Sequence, residues 1–231
     1  QSQFKKLLGD GSRYGIRFSY VIQPAPSGLA QALILAEDFL EGGPSCLVLG
    51  DNLFYGHGFK EYLNRATHRV NGATIFAYKV KRPEQFGVVE VDSISNNIIS
   101  IEEKPNKFIS NKAVIGLYIF NNDFGKYFNE INLSRRNEYE IVDIIKKYKF
   151  ENINHHEIGR GTAWFDMGTT EAFYNCSLFV RTIQERQGLL VCSPHEIAYR
   201  NEWITEEELE NYIKSIAGSE YSENLSKIFN D

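Results

Sequence analysis

Along the first two thirds of the chain the apolar residues change period repeatedly, and that alternation leaves few architectures open. Residues 46–49 (Cys-Leu-Val-Leu) form a short continuous apolar run that ends in Gly50-Asp51-Asn52. Continuous rather than alternating apolar residues suit a strand covered on both faces, as in a parallel sheet. Just before it, residues 29–40 carry Leu29, Ala32, Leu33, Ala36 and Leu40 at helical spacing, and Gly42-Gly43 ends the pattern. Residues 18–22 read as a strand and residues 24–28 as a turn, with Ser27 a candidate N-cap. Residues 59–70 read as a helix and residues 73–80 as another strand. The resulting β-α-β-α-β order predicts an α/β fold built on a doubly wound sheet.

The middle of the chain is richer in strands, at residues 87–91, 98–103 and 114–120. Asn96-Asn97 is a plausible hairpin turn between the first two. Residues 138–148 then show a helical face of Ile141, Ile144, Ile145 and Tyr148. The last third is helical. Phe173, Cys176, Val180 and Ile183 share one face before Gly188, and Thr205 followed by Glu206-Glu207-Glu208 has the pattern of a capping box. Neither repeats nor low-complexity linkers interrupt the 231 residues, so one α/β domain with a small helical C-terminal appendage is expected.

Composition narrows the function. Hydrophobic residues make up 42% and charged residues 24%, the balance of an ordered globular protein. No apolar run is long enough to span a membrane, and the first residues lack the apolar core of a signal peptide. Three cysteines, Cys46, Cys176 and Cys192, are too few and scattered for a disulfide scaffold. They read as core filling in a reduced cytoplasmic protein. The net charge of −5 argues against a nucleic-acid binder, which needs a basic face. It leaves a small phosphorylated substrate open, because a pocket's local charge can oppose the total.

Asp51 follows the 46–49 run directly, where ligands gather outside the carboxyl ends of strands. Asp166 lies in a compact turn, Trp164-Phe165-Asp166-Met167-Gly168-Thr169. Together the two carboxylates suit one Mg²⁺, which takes one or two carboxylates plus waters and substrate phosphates. Taken alone and by spacing, either aspartate reads more simply as a turn or N-cap residue. Lys104, in Glu102-Glu103-Lys104-Pro105, has the charge to hold a phosphate, and Glu103 beside it is an acceptor for sugar hydroxyls. A solvated charge run closing a strand is the plainer reading of that stretch. Arg136 has the planar fork that matches phosphate, or it is an exposed loop arginine next to Arg135. Gln23 offers the donor and acceptor that a thymine or uracil edge requires, and Gly28 permits close backbone approach; turn chemistry accounts for both as well. His155 and His156 are adjacent and would face opposite ways on a strand, so they make no metal pair. Dinucleotide-binding, P-loop and hydrolase-elbow motifs are missing from the sequence.

Taken together, longer stretches are more specific. They are Gln23-Pro24-Ala25-Pro26-Ser27-Gly28-Leu29-Ala30-Gln31-Ala32, then Val48-Leu49-Gly50-Asp51-Asn52-Leu53-Phe54-Tyr55-Gly56-His57. Further on come Phe86-Gly87-Val88-Val89-Glu90, Glu102-Glu103-Lys104-Pro105, Gly116-Leu117-Tyr118 and Ala163-Trp164-Phe165-Asp166-Met167-Gly168-Thr169. The tail adds Ile183-Gln184-Glu185-Arg186-Gln187-Gly188-Leu189 and Glu196-Ile197-Ala198-Tyr199-Arg200. In this order and over nearly the whole length, the chain resembles the glucose-1-phosphate thymidylyltransferase family of sugar nucleotidyltransferases.

That resemblance implies a doubly wound, mixed, Rossmann-like sheet of nucleotidyltransferase type. It would occupy residues 1–190, with a helical region over 191–231. It implies the joining of dTTP and glucose 1-phosphate to dTDP-glucose and pyrophosphate, for dTDP-rhamnose or related deoxysugar synthesis. Asp51 and Asp166 would bind Mg²⁺. Lys104 and Arg136 would hold the sugar phosphate, Glu103, Gly87 and Tyr118 its sugar, and Gln23 and Gly28 the thymine. A second, feedback nucleotide site would use Tyr55, Gly56, Glu196, Ile197 and Arg200, in a homotetramer. The alternatives are a uridylyl- or cytidylyltransferase of the same fold, or a non-catalytic sugar-nucleotide-binding protein.

Departures from the family pattern are Phe86 for Tyr, Ile115 for Thr before Gly116, Asn137 and Tyr139 after Arg136, and Met167 for Thr. They are expected to retune the sugar pocket. The family's opening strand and Gly-rich loop, which cradles the triphosphate, have no counterpart in this sequence. The chain, beginning at Gln1, is therefore read as truncated and expected to fold and turn over poorly.

Overall fold

The computed structural model describes residues 2–67 and 71–230. Gln1, Asp231 and residues 68–70, the end of the helix expected over 59–70, lie outside the described residues. In chain order the elements are α1 (Ser2–Leu8), α2 (Leu29–Leu35), α3 (Glu37–Leu40), β1 (Ser45–Val48), β2 (Asn52–Gly56), α4 (Phe59–Thr67), β3 (Ala73–Lys79), β4 (Gly87–Val91) and β5 (Ile98–Glu103). They continue with β6 (Lys112–Phe120), α5 (Phe124–Phe128), α6 (Ile141–Lys147), β7 (Ile153–Glu157), β8 (Thr162–Asp166), α7 (Thr170–Gln187), α8 (Pro194–Arg200), α9 (Glu206–Ser215) and α10 (Glu220–Ser226). Two compact units result, residues 23–172 and residues 1–22 with 173–231.

The 23–172 unit is a mixed α/β layer built around β6. The main sheet runs β5-β4-β6-β3-β7, with β1 also paired to β6. Among the described residues, only β3 and β7 run parallel; the other pairs are antiparallel. Side chains alternate along a strand, so β6 feeds two cores. Val114, Tyr118 and Phe120 join the cluster formed with α2, α5 and α6. Ile115, Leu117 and Ile119 join the opposite cluster, with Phe76, Phe59 and Trp164. Helices therefore cover both faces. A separate ribbon, β2 with β8, pairs Asn52 opposite Asp166 and Gly56 opposite Thr162.

Several expectations are corrected. The run at 46–49 is not a strand covered on both faces. β1 pairs antiparallel with β6 on one side, and Val48 is 53% exposed. Cys46 and Cys192 are exposed, so only Cys176 fills a core. Residues 18–22 form no strand: Phe18 donates its N–H to Asp10 C=O at 2.7 Å, and no described strand pairs with the segment. The helix expected over 29–40 breaks at Ala36 into α2 and α3. Ser27 is not its cap; Gly28 holds that position at φ +99°, without a side-chain cap. The helix expected from 138 starts at Ile141 for a backbone reason. Tyr139 donates its N–H to Ser27 C=O at 2.8 Å and accepts from Ala30 N–H at 3.2 Å, so residues 138–140 stay out of the helix and Glu140 is extended.

The other unit is helical. Tyr14, Ala198, Ile204, Leu209, Leu225 and Ile228 form its core. The capping box at Thr205 and Glu208 is present, which satisfies two of the orphan N–H groups at the start of α9. These compact units divide the chain after residues 22 and 172, where a break at 190 was expected. The Gln184 side chain accepts the N–H of Val191 at 2.9 Å, tying the end of α7 to the segment that enters α8. Among the described residues, no helix is long and apolar enough to cross a membrane.

Candidate active site

A cleft of about 360 Å³ opens where two strands part from the same edge of β6. Residues 117–120 of β6 pair with β1, and residues 113 and 114 pair with β4. Gly116 lies in the gap, and its C=O accepts Leu49 N–H at 2.9 Å. A Cβ on Gly116 would come within 2.7 Å of Leu49 and of the Asn52 amide oxygen. Only glycine leaves that floor clear.

One wall carries the two aspartates. Asp51 lies between β1 and β2, and its C=O accepts Met167 N–H at 2.8 Å. Asp166 ends β8, opposite Asn52. The β2–β8 ribbon thus brings together two carboxylates that are far apart in sequence. Burial pushes the Asp166 carboxyl above the usual range, and the charge of Asp51 pushes it further; the Gly168 N–H and Lys104 oppose this. Two carboxylates held this close supply hard oxygen ligands of the kind that suit a hard divalent cation.

The other wall carries the cations. Glu103 ends β5 and Lys104 follows it. Lys104 sits at φ +43°, in the left-handed region, with its N–H donated to Phe86 C=O at 3.0 Å. A lysine rarely adopts that conformation, and such positions cluster at functional sites. Gly87 stands opposite Glu103 in the β4–β5 ladder, and a Cβ there would be 3.1 Å from the Glu103 carboxylate. Burial and then Glu140 raise the Glu103 pKa to about 6, against the pull of Lys104 and Arg136. Burial first, then Glu103, raises the Tyr118 hydroxyl far above its ordinary value. Arg136 reaches Glu103 at 3.5 Å, Glu138 at 3.0 Å and Glu140 at 3.6 Å.

Of the residues expected from sequence, Asp51, Gly87, Glu103, Lys104, Tyr118, Arg136 and Asp166 line this cleft. Gln23 and Gly28 do not. Gln23 donates its amide to Gly28 C=O at 3.0 Å and to Gln31 at 2.9 Å. A Cβ on Gly28 would meet Tyr139 C=O at 2.4 Å, so this glycine closes the turn against residue 139. Tyr55 and Gly56 lie on β2 in the 23–172 unit, whereas Glu196, Ile197 and Arg200 lie on α8 in the other. Among the departures, Phe86 lines the cleft, edge-on to Trp164 at 5.2 Å. Ile115 is fully buried in the opposite core and Met167 is not among the residues that line the cleft, so the retuning expected of these two departures does not act through its wall. Asn137 occupies φ +61°, a left-handed conformation that asparagine tolerates.

Sequence reasoning missed Asn52, Glu138, Glu140 and, as a residue in its own right, Trp164. Trp164 shares a strand face with Asp166, a period-2 signal available in the sequence. Glu138 and Glu140 were hidden by the helix assigned to their segment. With them the cleft wall holds more carboxylates than cations, so a phosphorylated substrate needs a further positive charge to enter.

The sequence pattern of nucleotidyl transferases matches residues 1–183. Glucose-1-phosphate thymidylyltransferase of Xanthomonas campestris is 44% identical over 99% of this chain and 77% of its own length. That of Neisseria meningitidis is 43% identical over 98% of this chain and 79% of its own. A Bacillus anthracis structure assigned to the same enzyme and solved with a sucrose aligns with a TM-score of 0.69 and 32% identity, over 78% of this chain and 72% of that one.

Proposed function

Because the chain belongs to the glucose-1-phosphate thymidylyltransferases, we propose that its cleft joins dTTP and glucose 1-phosphate into dTDP-glucose and pyrophosphate. One observation carries the residue assignment: Asp51 and Asp166 on one wall face a cleft whose other wall presents Lys104 and Arg136. The sugar-phosphate oxygen attacks the α-phosphorus of dTTP. The bond from that phosphorus to the β-phosphate oxygen breaks, and pyrophosphate leaves. Both reactants are anions, so the barrier is dominated by charge and alignment rather than by proton transfer.

Asp51 and Asp166 would hold Mg²⁺. When bound, the cation neutralises and orients phosphate oxygens. Lys104 presents a point charge at a strand end whose backbone is fixed by Phe86. Arg136, now paired with Glu103, Glu138 and Glu140, would offer its fork to the sugar phosphate, which a guanidinium also matches bidentately. Glu103, in the space left by Gly87, accepts sugar hydroxyls, and Tyr118 donates to the same region. Gln23 and Gly28 shape the base-binding turn. Feedback by the sugar-nucleotide product is proposed for Glu196, Ile197 and Arg200 on α8, where Arg200 pairs with Glu196 at 2.8 Å. Assembly as a homotetramer in a reduced cytoplasm belongs to the same reading.

Pyrophosphate release from glucose 1-phosphate with Mg²⁺ tests the function, run in parallel with dTTP and UTP. Release that prefers dTTP and vanishes in Asp166→Asn is expected. Preference for UTP would refute the nucleotide assignment, and full activity in Asp166→Asn would refute the metal assignment.

A further inference from the structure

Asn52 lies on the floor of the cleft and has no role in the reading above. Its side-chain oxygen accepts the indole N–H of Trp164 at 2.7 Å. Its side-chain nitrogen donates to one oxygen of Asp51 at 2.9 Å. An indole nitrogen only donates, so the amide has one orientation: oxygen to Trp164, nitrogen to Asp51. The indole is itself fixed, with Tyr78 edge-on at 5.8 Å and Phe86 edge-on at 5.2 Å. Any side chain on Gly116 would collide with the Asn52 oxygen, at 2.7 Å, so the glycine keeps room for this amide. The backbone of Asn52 is paired with Asp166 in the β2–β8 ladder. One residue therefore touches both aspartates, Asp51 through its side chain and Asp166 through its main chain.

We propose that Asn52 is a positioning residue that holds one oxygen of Asp51, leaving the other turned to a divalent cation, with the Trp164 indole setting the direction of its amide. This rests on the metal assignment to Asp51 and Asp166 made above. A free carboxylate rotates about its last bond, and a fixed donor on one oxygen removes that freedom before the cation arrives. Partners of this kind, one shell out from a metal, alter its affinity by about 10–100-fold. Trp164 also borders the cleft, so its contribution must be read on the cation rather than on the sugar.

The experiment is a titration of the full chain with Mn²⁺ in the presence of dTTP, followed by the loss of the free-ion paramagnetic resonance signal beyond that in a protein-free control, because dTTP alone also binds Mn²⁺. Asn52→Ala is expected to weaken Mn²⁺ binding about tenfold. Trp164→Phe, which keeps a ring but removes the N–H, is expected to weaken it by a smaller factor. The double variant is expected to bind no more weakly than Asn52→Ala alone, because both act through one amide. Wild-type affinity in Asn52→Ala, or multiplied effects in the double variant, would overturn the proposal. If Asn52→Ala does not fold, Trp164→Phe decides alone, and wild-type affinity there overturns it. No Mn²⁺ binding to the wild type would overturn both the metal site and the role of Asn52. Mn²⁺ binding without thymidylyl transfer would refute the reaction and leave Asn52 in place.

Discussion

His195 in the helical unit is a neutral histidine walled in by tyrosines, and lowering the pH should unfold that unit through it. The ring is 2% exposed and stacked on Tyr212 at a centroid distance of 3.7 Å, with Tyr14 at 4.8 Å and Tyr221 at 5.7 Å. Nδ1 meets the Tyr221 hydroxyl at 3.0 Å, and Nε2 has no partner. Burial, with a smaller contribution from Arg13, lowers the pKa from 6.5 to about 4. The folded form therefore binds the proton less readily than the unfolded chain. Stability is intact above the unfolded value and is lost as pH falls through it toward the folded one. The full shift corresponds to about 3 kcal/mol below both values, and about 2 kcal/mol of it is lost by about pH 5. The assay is denaturant unfolding followed by Trp203 fluorescence in a Trp164→Phe background, at neutral pH and at about pH 5. Carboxylates titrate over the same range, so the quantity to read is the difference between this protein and its His195→Phe variant. The variant should lose about 2 kcal/mol less over that interval. Equal losses in the two proteins would refute the reasoning.

Three further outcomes follow from the 23–172 unit. Ile115→Thr buries a hydroxyl in a core position with 0% exposure. It should cost about 1–3 kcal/mol in denaturant unfolding and leave the KM for glucose 1-phosphate unchanged. Glu103, with a pKa near 6, goes from about nine-tenths to about one-tenth ionised between about pH 7 and 5. The KM for glucose 1-phosphate should therefore rise over that interval more steeply than in Glu103→Gln, a comparison that cancels the titration of the phosphate itself. Gly28→Ala forces a methyl against Tyr139 C=O at φ +99°, and should lower stability by about 2 kcal/mol or more in thermal and denaturant unfolding.

Legibility from sequence followed the range of the interaction that decides each feature. The hairpin of β4 and β5 was readable because its turn is local: Asp92 accepts Ile94 N–H at 3.1 Å and Ser95 N–H at 2.6 Å, and Asn96 takes φ +59°. The capping box at Thr205 was readable for the same reason. The start of α6 was not, because it is set by the pairing of residue 139 with residues 27 and 30. The strand expected over 18–22 failed similarly, since a strand depends on a neighbour that its own apolar residues do not name. Asp51 and Asp166 could be singled out one at a time, but only the β2–β8 ladder makes them neighbours. Asn52 stood beside Asp51 in plain view, and its chemistry emerges only through Trp164, a partner remote in sequence.

The cleft's two walls ride on separate supports. The aspartates belong to the β2–β8 ribbon, whereas Glu103 and Lys104 belong to the β4–β5 hairpin, and both supports lean on a single strand around Gly116. The two supports meet where Phe86, which leads into β4, packs edge-on against Trp164 of β8. On the proposed assignment, a substitution on the hairpin that shifts Phe86 would therefore reach the groups assigned to the cation as well as those assigned to the sugar.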